Sequence, residues 1–113
     1  MGVWATWYAP CNAETPYMVK FYEHYKYNQN ICFVSVSVDS NKEAWKKKLV
    51  KDYHPWLSLI VNDAFKSKMC TSFGITSISR FMLFDKSGHV IMANAPRPSD
   101  KAVYELIDRV FKN

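Results

Sequence analysis

Apolar and polar positions along this 113-residue chain repeat with two periods, and the switches between them mark its elements. Residues 3–6 are a short β-branched and aromatic run that reads as the end of a strand. Pro10 follows where a helix's first turn has no use for an N–H. From there Met18, Phe21, Tyr22 and Tyr25 recur at helical spacing and predict one buried face. Pro16 lies inside that pattern and predicts a kink. The tyrosines around it, Tyr17, Tyr22, Tyr25 and Tyr27, read as packing rather than as a binding stripe.

Residues 31–38 are the clearest strand. Cys32, Val34, Val36 and Val38 share one face and Ile31 and Phe33 the other, so cover is expected on both sides, with Cys32 as a small buried hydrophobe. Asp39-Ser40 reads as the start of a helix, with Ser40 and Glu43 spaced as a capping box. Trp45 and Leu49 take its inner positions and lysines its outer ones, and His54-Pro55 ends it. Residues 56–61 read as a short strand or extended segment. Asn62-Asp63 then caps a predicted helix to about residue 72, with Phe65, Met69 and Phe73 inward and Gly74 as terminator. Residues 80–85 and 89–94 read as a hairpin turning at Lys86-Ser87-Gly88. A last helix starts at Ser99-Asp100 and carries the stripe Val103, Leu106, Ile107 and Val110. The order β-α-β-α-(β)-α-β-β-α predicts an α/β fold, a three-layer α/β/α sandwich around a central mixed sheet.

Composition narrows the function more than the fold. The length suits one domain, residues 1–113. With 49% hydrophobic and 16% aromatic residues, the chain is not a disordered one. Its net charge of +5 owes much to Lys46-Lys47-Lys48 and Lys51, which fit a solvated helix face; a surface for an acidic partner is the weaker reading. Basic and aromatic residues do not interleave as in RNA-binding modules, so no nucleic-acid partner is expected. Three cysteines, Cys11, Cys32 and Cys70, allow one internal disulfide at most, which excludes a disulfide scaffold. His24, His54 and His89 lie at no ligand spacing, so neither a metal nor another cofactor is expected. No 18-residue apolar run is present, so no membrane span is expected.

Candidate chemistry concentrates in Trp4-Ala5-Thr6-Trp7-Tyr8-Ala9-Pro10-Cys11. This stretch resembles the active-site turn of thioredoxin-type thiol–disulfide oxidoreductases, which is read by Trp-Cys-x-x-Cys. Cys11-Asn12-Ala13-Glu14-Thr15-Pro16 resembles the first-helix start of the TlpA/ResA-like branch. The run from Gly74 through Ile78-Ser79-Arg80-Phe81 to Gly88 resembles that branch's Gly-Ile-x-x-Ile-Pro-Arg-Phe block. Ala95-Pro96-Arg97-Pro98-Ser99 is similar to a loop of Bacteroidetes-type members. The similarity runs from about Val3 to the C-terminus and implies a thioredoxin-like fold.

In such proteins the first cysteine attacks a disulfide and the second resolves the mixed disulfide. Here the attacking position is Tyr8, and a phenol ionising near about 10 is no substitute for a thiolate. The motif positions Trp7, Tyr8, Ala9, Pro10 and Cys11 therefore imply lost or weak dithiol exchange. Tyr8 is either a plain aromatic covering the site or a hydrogen-bond donor to a ligand. Cys11 matches the resolving cysteine, with residual redox activity through another thiol, Cys70 included, as the alternative. Glu14 matches a proton-transfer carboxylate; otherwise it is an acidic residue in the helix's first turn.

Ile78-Ser79 stands where the family places a cis-proline facing the cysteines. A non-proline cis bond is disfavoured by about 2.5–4 kcal/mol, so a trans bond and a shifted 77–80 segment are expected. The groove between the Tyr8 and Ser79 loops implies, by resemblance, an extended peptide or a thiol-containing protein as partner. The resemblance also implies the cell envelope or periplasm as location. Only three residues precede Trp4, where family members enter from a long strand. A central strand short at its N-terminal end, an exposed edge and a possible dimer are therefore expected.

Overall fold

In the first strand, β1 (Gly2–Trp4), Val3 packs into one apolar cluster, while Trp4 lines a small cavity together with Met18 and Trp56. The computed structural model describes residues 1–111. β2 (Val34–Ser37) runs parallel to β1, and β3 (Leu57–Ile60) runs parallel to β2. β4 (Arg80–Phe81) pairs antiparallel with the other side of β1, which gives the order β3-β2-β1-β4. Val3, Ala5 and Val38 pack with Cys70, Ile75 and Met82. The second cluster joins Met18, Phe21 and Tyr25 of α1 (Ala9–Tyr25) to Val103 and Ile107 of α4 (Ala102–Val110), with Trp56. Helices thus cover a mixed sheet, the predicted thioredoxin-like architecture.

The stripes of α1 and α4 hold at most of their positions, with Tyr22 and Val110 only half-buried. Met18, Phe21 and Tyr25 are buried on α1, and Val103, Leu106 and Ile107 on α4. The Tyr25 hydroxyl donates to Asp108 Oδ1 at 2.7 Å, which ties the end of α1 to α4. α1 runs through Pro16 as one helix.

Several boundaries differ from expectation. β2 begins at Val34, and Cys32 is exposed ahead of it rather than buried mid-strand. The chain is still turning there, since the Ile31 N–H bonds to the Asn28 carbonyl. The cap of α2 (Lys42–Lys51) is Asn41, whose side chain accepts the Ala44 N–H at 3.1 Å, and the Ser40–Glu43 box does not form. The helix expected over 62–72 breaks in two. Asp63 and Ala64 take φ of 65° and 48°, a left-handed bend incompatible with a continuous helix. A 3-10 turn (Ala64–Lys66) follows, and Ser67 then caps the short α3 (Lys68–Ser72). Gly74 ends this segment at φ 64°, as its sequence position suggested.

The hairpin is also divided. Met82 turns aside from it and exchanges backbone hydrogen bonds with Met1 at 2.7 and 2.8 Å. Its first arm therefore splits into β4, in the main sheet, and β5 (Leu83–Phe84), which pairs with β6 (Val90–Met92). The short β1 is flanked on both sides, so no edge is left open there. The sheet's edge strands are β3 and β4, and on β3 Leu57 and Leu59 are 55% and 46% exposed.

Candidate functional site

Residues 5–8 carry the chain from β1 into α1, and one carboxylate holds them from below. Asp39, just past β2 and 3% exposed, accepts the Thr6 N–H at 3.1 and 3.2 Å and the Thr6 hydroxyl at 2.7 Å. The Ser37 hydroxyl donates to the same carboxylate at 2.5 Å. Asn12 reaches back from α1 and donates to the Thr6 carbonyl at 3.1 Å. The sequence placed Asp39 at a helix start; its real partner is 33 residues away, a contact no local pattern announces.

Tyr8 is the residue that enters α1. Its backbone is extended (φ −102°, ψ 109°), and its carbonyl accepts the N–H groups of Cys11 and Asn12. Its side chain makes no capping hydrogen bond and meets Trp7 edge-on at 5.9 Å. Trp7 is 64% exposed, so the two aromatics form the rim of the site. Ala9 and Pro10 are exposed on the first turn. A helix N-terminus offers free N–H groups that stabilise an anion, yet the residue placed there carries no thiol.

Cys11 sits behind that rim, 4% exposed, and its sulfur contacts the Ser79 hydroxyl. The Ile78–Ser79 bond is cis, which corrects the expected trans bond and shifted segment. Both flanks of the loop are pinned: Ile78 packs against the Val3 cluster, while Arg80 pairs with Val3 and donates to the Ala93 carbonyl at 3.0 Å. Serine thus brings a hydroxyl to Cys11, where proline would present only a ring.

Glu14 is tied to the segment before α4. Its two oxygens accept the Ser99 N–H at 3.1 Å and the Ser99 hydroxyl at 2.7 Å. The first-turn role considered for it is not realised, because that turn holds no acidic residue. Cys70 is fully buried with Val3 and Ala5, whereas Cys11 shares a cavity with Trp4; alternation along β1 sends these groups to different sides of the sheet. All three cysteines are free, so the structure does not join Cys11 to Cys70.

The sequence reading used His54 only as a helix terminator and as a histidine at no ligand spacing, and gave it no place in the site. His54 stacks on Trp4 with centroids 5.2 Å apart and leans on Trp56 at the same distance. Burial pulls its pKa below the ordinary value, against the opposing influence of Asp52. It lines the same small cavity as Cys11, Glu14 and Ser79. In front of Ser79 an open groove of about 680 Å³ runs past Phe81, Met92, Asn94 and Arg97. Among the described residues no group of His, Cys, Asp and Glu could hold a metal ion, and no helix is long and apolar enough to cross a membrane.

A family model described as thioredoxin-like matches residues 1–90 of the chain. The chain belongs to the thioredoxin-like family. A Bacteroides vulgatus protein assigned as a thiol–disulfide oxidoreductase is 33% identical, with a TM-score of 0.85 over 97% of this chain and 75% of that one. The thiol–disulfide oxidoreductase of Bacteroides fragilis superposes with a TM-score of 0.86 over 97% of this chain and 78% of that one; at 19% identity it supports the fold alone. The thiol–disulfide oxidoreductase ResA of Bacillus thuringiensis is 24% identical over 110 residues, 97% of this chain. This thioredoxin-like chain spans 61% of the length of that relative. The family and the fold are therefore those of the thiol–disulfide oxidoreductases.

Proposed function

We propose that this thioredoxin-like domain has lost rapid dithiol exchange and keeps Cys11 as its one thiol at the site. The observation that carries this reading is Tyr8 at the entry to α1, where the fold would activate an attacking sulfur. Exchange needs a thiolate that attacks and a second thiol that resolves. Here the single sulfur at the site is buried against Ser79, and the three cysteines stay unpaired. Such a thiol reacts once, forming a mixed disulfide that a separate thiol must release.

The test is insulin reduction with dithiothreitol. The expected turnover is the uncatalysed background, and Tyr8→Cys, which restores the dithiol, is expected to raise it. Wild-type turnover at the level of Tyr8→Cys would defeat the reading.

A second reading, an extended-peptide or thiol-protein binding module, is favoured by the open groove beside Ser79. Calorimetric titration with cysteine-containing peptides tests it, and heats no larger than dilution would exclude it. Family resemblance supports a cell-envelope location. Self-association is supported by the exposed leucines of β3 rather than by β1.

A further inference from the structure

Beneath Cys11 lies a cavity of about 40 Å³ lined by Trp4, Cys11, Glu14, His54, Trp56 and Ser79 among others. A water molecule needs roughly 10–15 Å³ and several polar partners. Two of the cavity's lining residues, Trp4 and His54, carry buried polar atoms in need of partners. Both ring nitrogens of His54 and the indole nitrogen of Trp4 are inaccessible from outside and have no hydrogen-bond partner among the described residues. Trp4 itself is only 7% exposed. Leaving such groups unsatisfied is costly, so a water in this cavity is the arrangement that the polar atoms favour.

We propose that His54 accepts the Cys11 proton through a water held in this cavity, and so sets the pH range in which the thiol attacks a disulfide. The inference rests on the reading that Cys11 is the reactive thiol. The proton passes from Sγ to the water, and from the water to a ring nitrogen of His54, leaving a thiolate and an imidazolium. The thiolate then attacks one sulfur of a small disulfide. A new S–S bond forms, the old one breaks, and the expelled sulfur leaves as a thiolate that is protonated from solvent.

The surroundings suit His54 to this role. Its lowered pKa leaves the ring neutral near pH 7, the form that accepts a proton, while the same burial makes it a weaker base than a free imidazole. The stack on Trp4 and the contact with Trp56 fix its plane. The charged groups facing it are Asp52 and Lys48, which pair with each other at 2.8 Å and so largely offset one another. From α1, Glu14 faces the cavity as well, but its carboxylate already accepts two hydrogen bonds from Ser99. From the β4 side Ser79 contributes a neutral hydroxyl in contact with the sulfur. His54 acts on Cys11 through the water and is a positioning residue rather than a group that touches the disulfide.

The test uses the full chain with Cys32→Ser, which removes the exposed thiol, and 4,4′-dithiodipyridine as the neutral disulfide. Mass spectrometry assigns the modified residue, and the second-order rate is followed with pH. The expected profile rises in two steps, the lower one coinciding with the His54 ring titration measured by NMR in the same protein. His54→Phe, which keeps a stacking ring, is expected to lose the lower step and to slow the reaction near neutrality on the order of 100-fold. His54→Gln should behave likewise while keeping polar atoms in place. A lower step that fails to coincide with the ring titration, or an unchanged profile in either variant, overturns the inference. That comparison with NMR needs no variant to fold. No labelling of Cys11 at any pH removes both the reading and the inference; labelling with a profile indifferent to His54 removes the inference alone.

Discussion

Thr6 receives its hold from Asp39, and the loop that presents Trp7 and Tyr8 inherits its position from that contact. Hydrogen bonds to a buried charged acceptor are each worth about 1.5–3 kcal/mol. Asp39→Asn replaces one acceptor with an amide donor facing the Thr6 and Ser37 hydroxyls. The expected result is a loss of about 1.5–3 kcal/mol, read as a lower denaturant midpoint at unchanged slope. An unshifted midpoint would show that the clamp is dispensable. His54 gives the second expectation at this scale. Its pKa is lowered in the folded state, so the unfolded chain binds the proton more readily. The stability associated with its neutral burial is therefore full above the unfolded value of 6.5 and declines as pH falls towards the folded value. Asp52 and Asp85 act in a lower window, because Lys48 and the His89 N–H respectively hold them below 3.8. Melting temperatures taken from pH 7 to 5 should fall in wild type and stay flatter in His54→Phe. Equal slopes would contradict the assignment. Tyr8 and Ser79 could be singled out from sequence because each breaks a local motif. Asp39 and His54 could not, since their roles arise from partners that only the folded chain brings near.

Among the elements, those with a buried stripe were legible and those fixed by turns were not. α1 and α4 follow their apolar spacing, because packing across the sheet requires it. The segment after Asn62 breaks because Asp63 and Ala64 adopt a left-handed bend, which their residue types do not dictate. Met82 leaves the hairpin because Met1 offers a backbone partner 81 residues away. The join between α1 and the segment before α4 is of the same long-range kind. Glu14 binds the backbone and side chain of Ser99 across 85 residues. Glu14→Ala should free that segment while leaving both helices in place. Amide exchange is expected to quicken around residues 97–101, with α4 beyond Val103 unchanged. Exchange unaltered at Ser99 would mean that the bonds to Glu14 do not hold the loop.

For the molecule as a whole, the two apolar clusters close both faces of the sheet but not its edges. β4 covers β1, β2 covers its other side, and β3 is left as an edge with Leu57 and Leu59 on one exposed face. The run from Trp56 to Val61 carries no charge, and an uncharged exposed edge is a template for pairing with another chain. In an antiparallel two-fold pairing centred on Ser58, Leu57 of one copy lies opposite Leu59 of the other, so the four leucines meet on one face. The lysine-rich α2 opposes this by giving both copies the same charge. Screening by salt weakens that repulsion, with a Debye length of about 10 Å at 0.1 M and about 3 Å at 1 M. Sedimentation velocity should therefore show association that grows with salt and protein concentration. Leu57→Lys places a charge at the centre of the pairing and is expected to abolish it without altering the melt, since the side chain is already more than half exposed. Wild type that stays monomeric at high salt and high concentration would rule out pairing through β3.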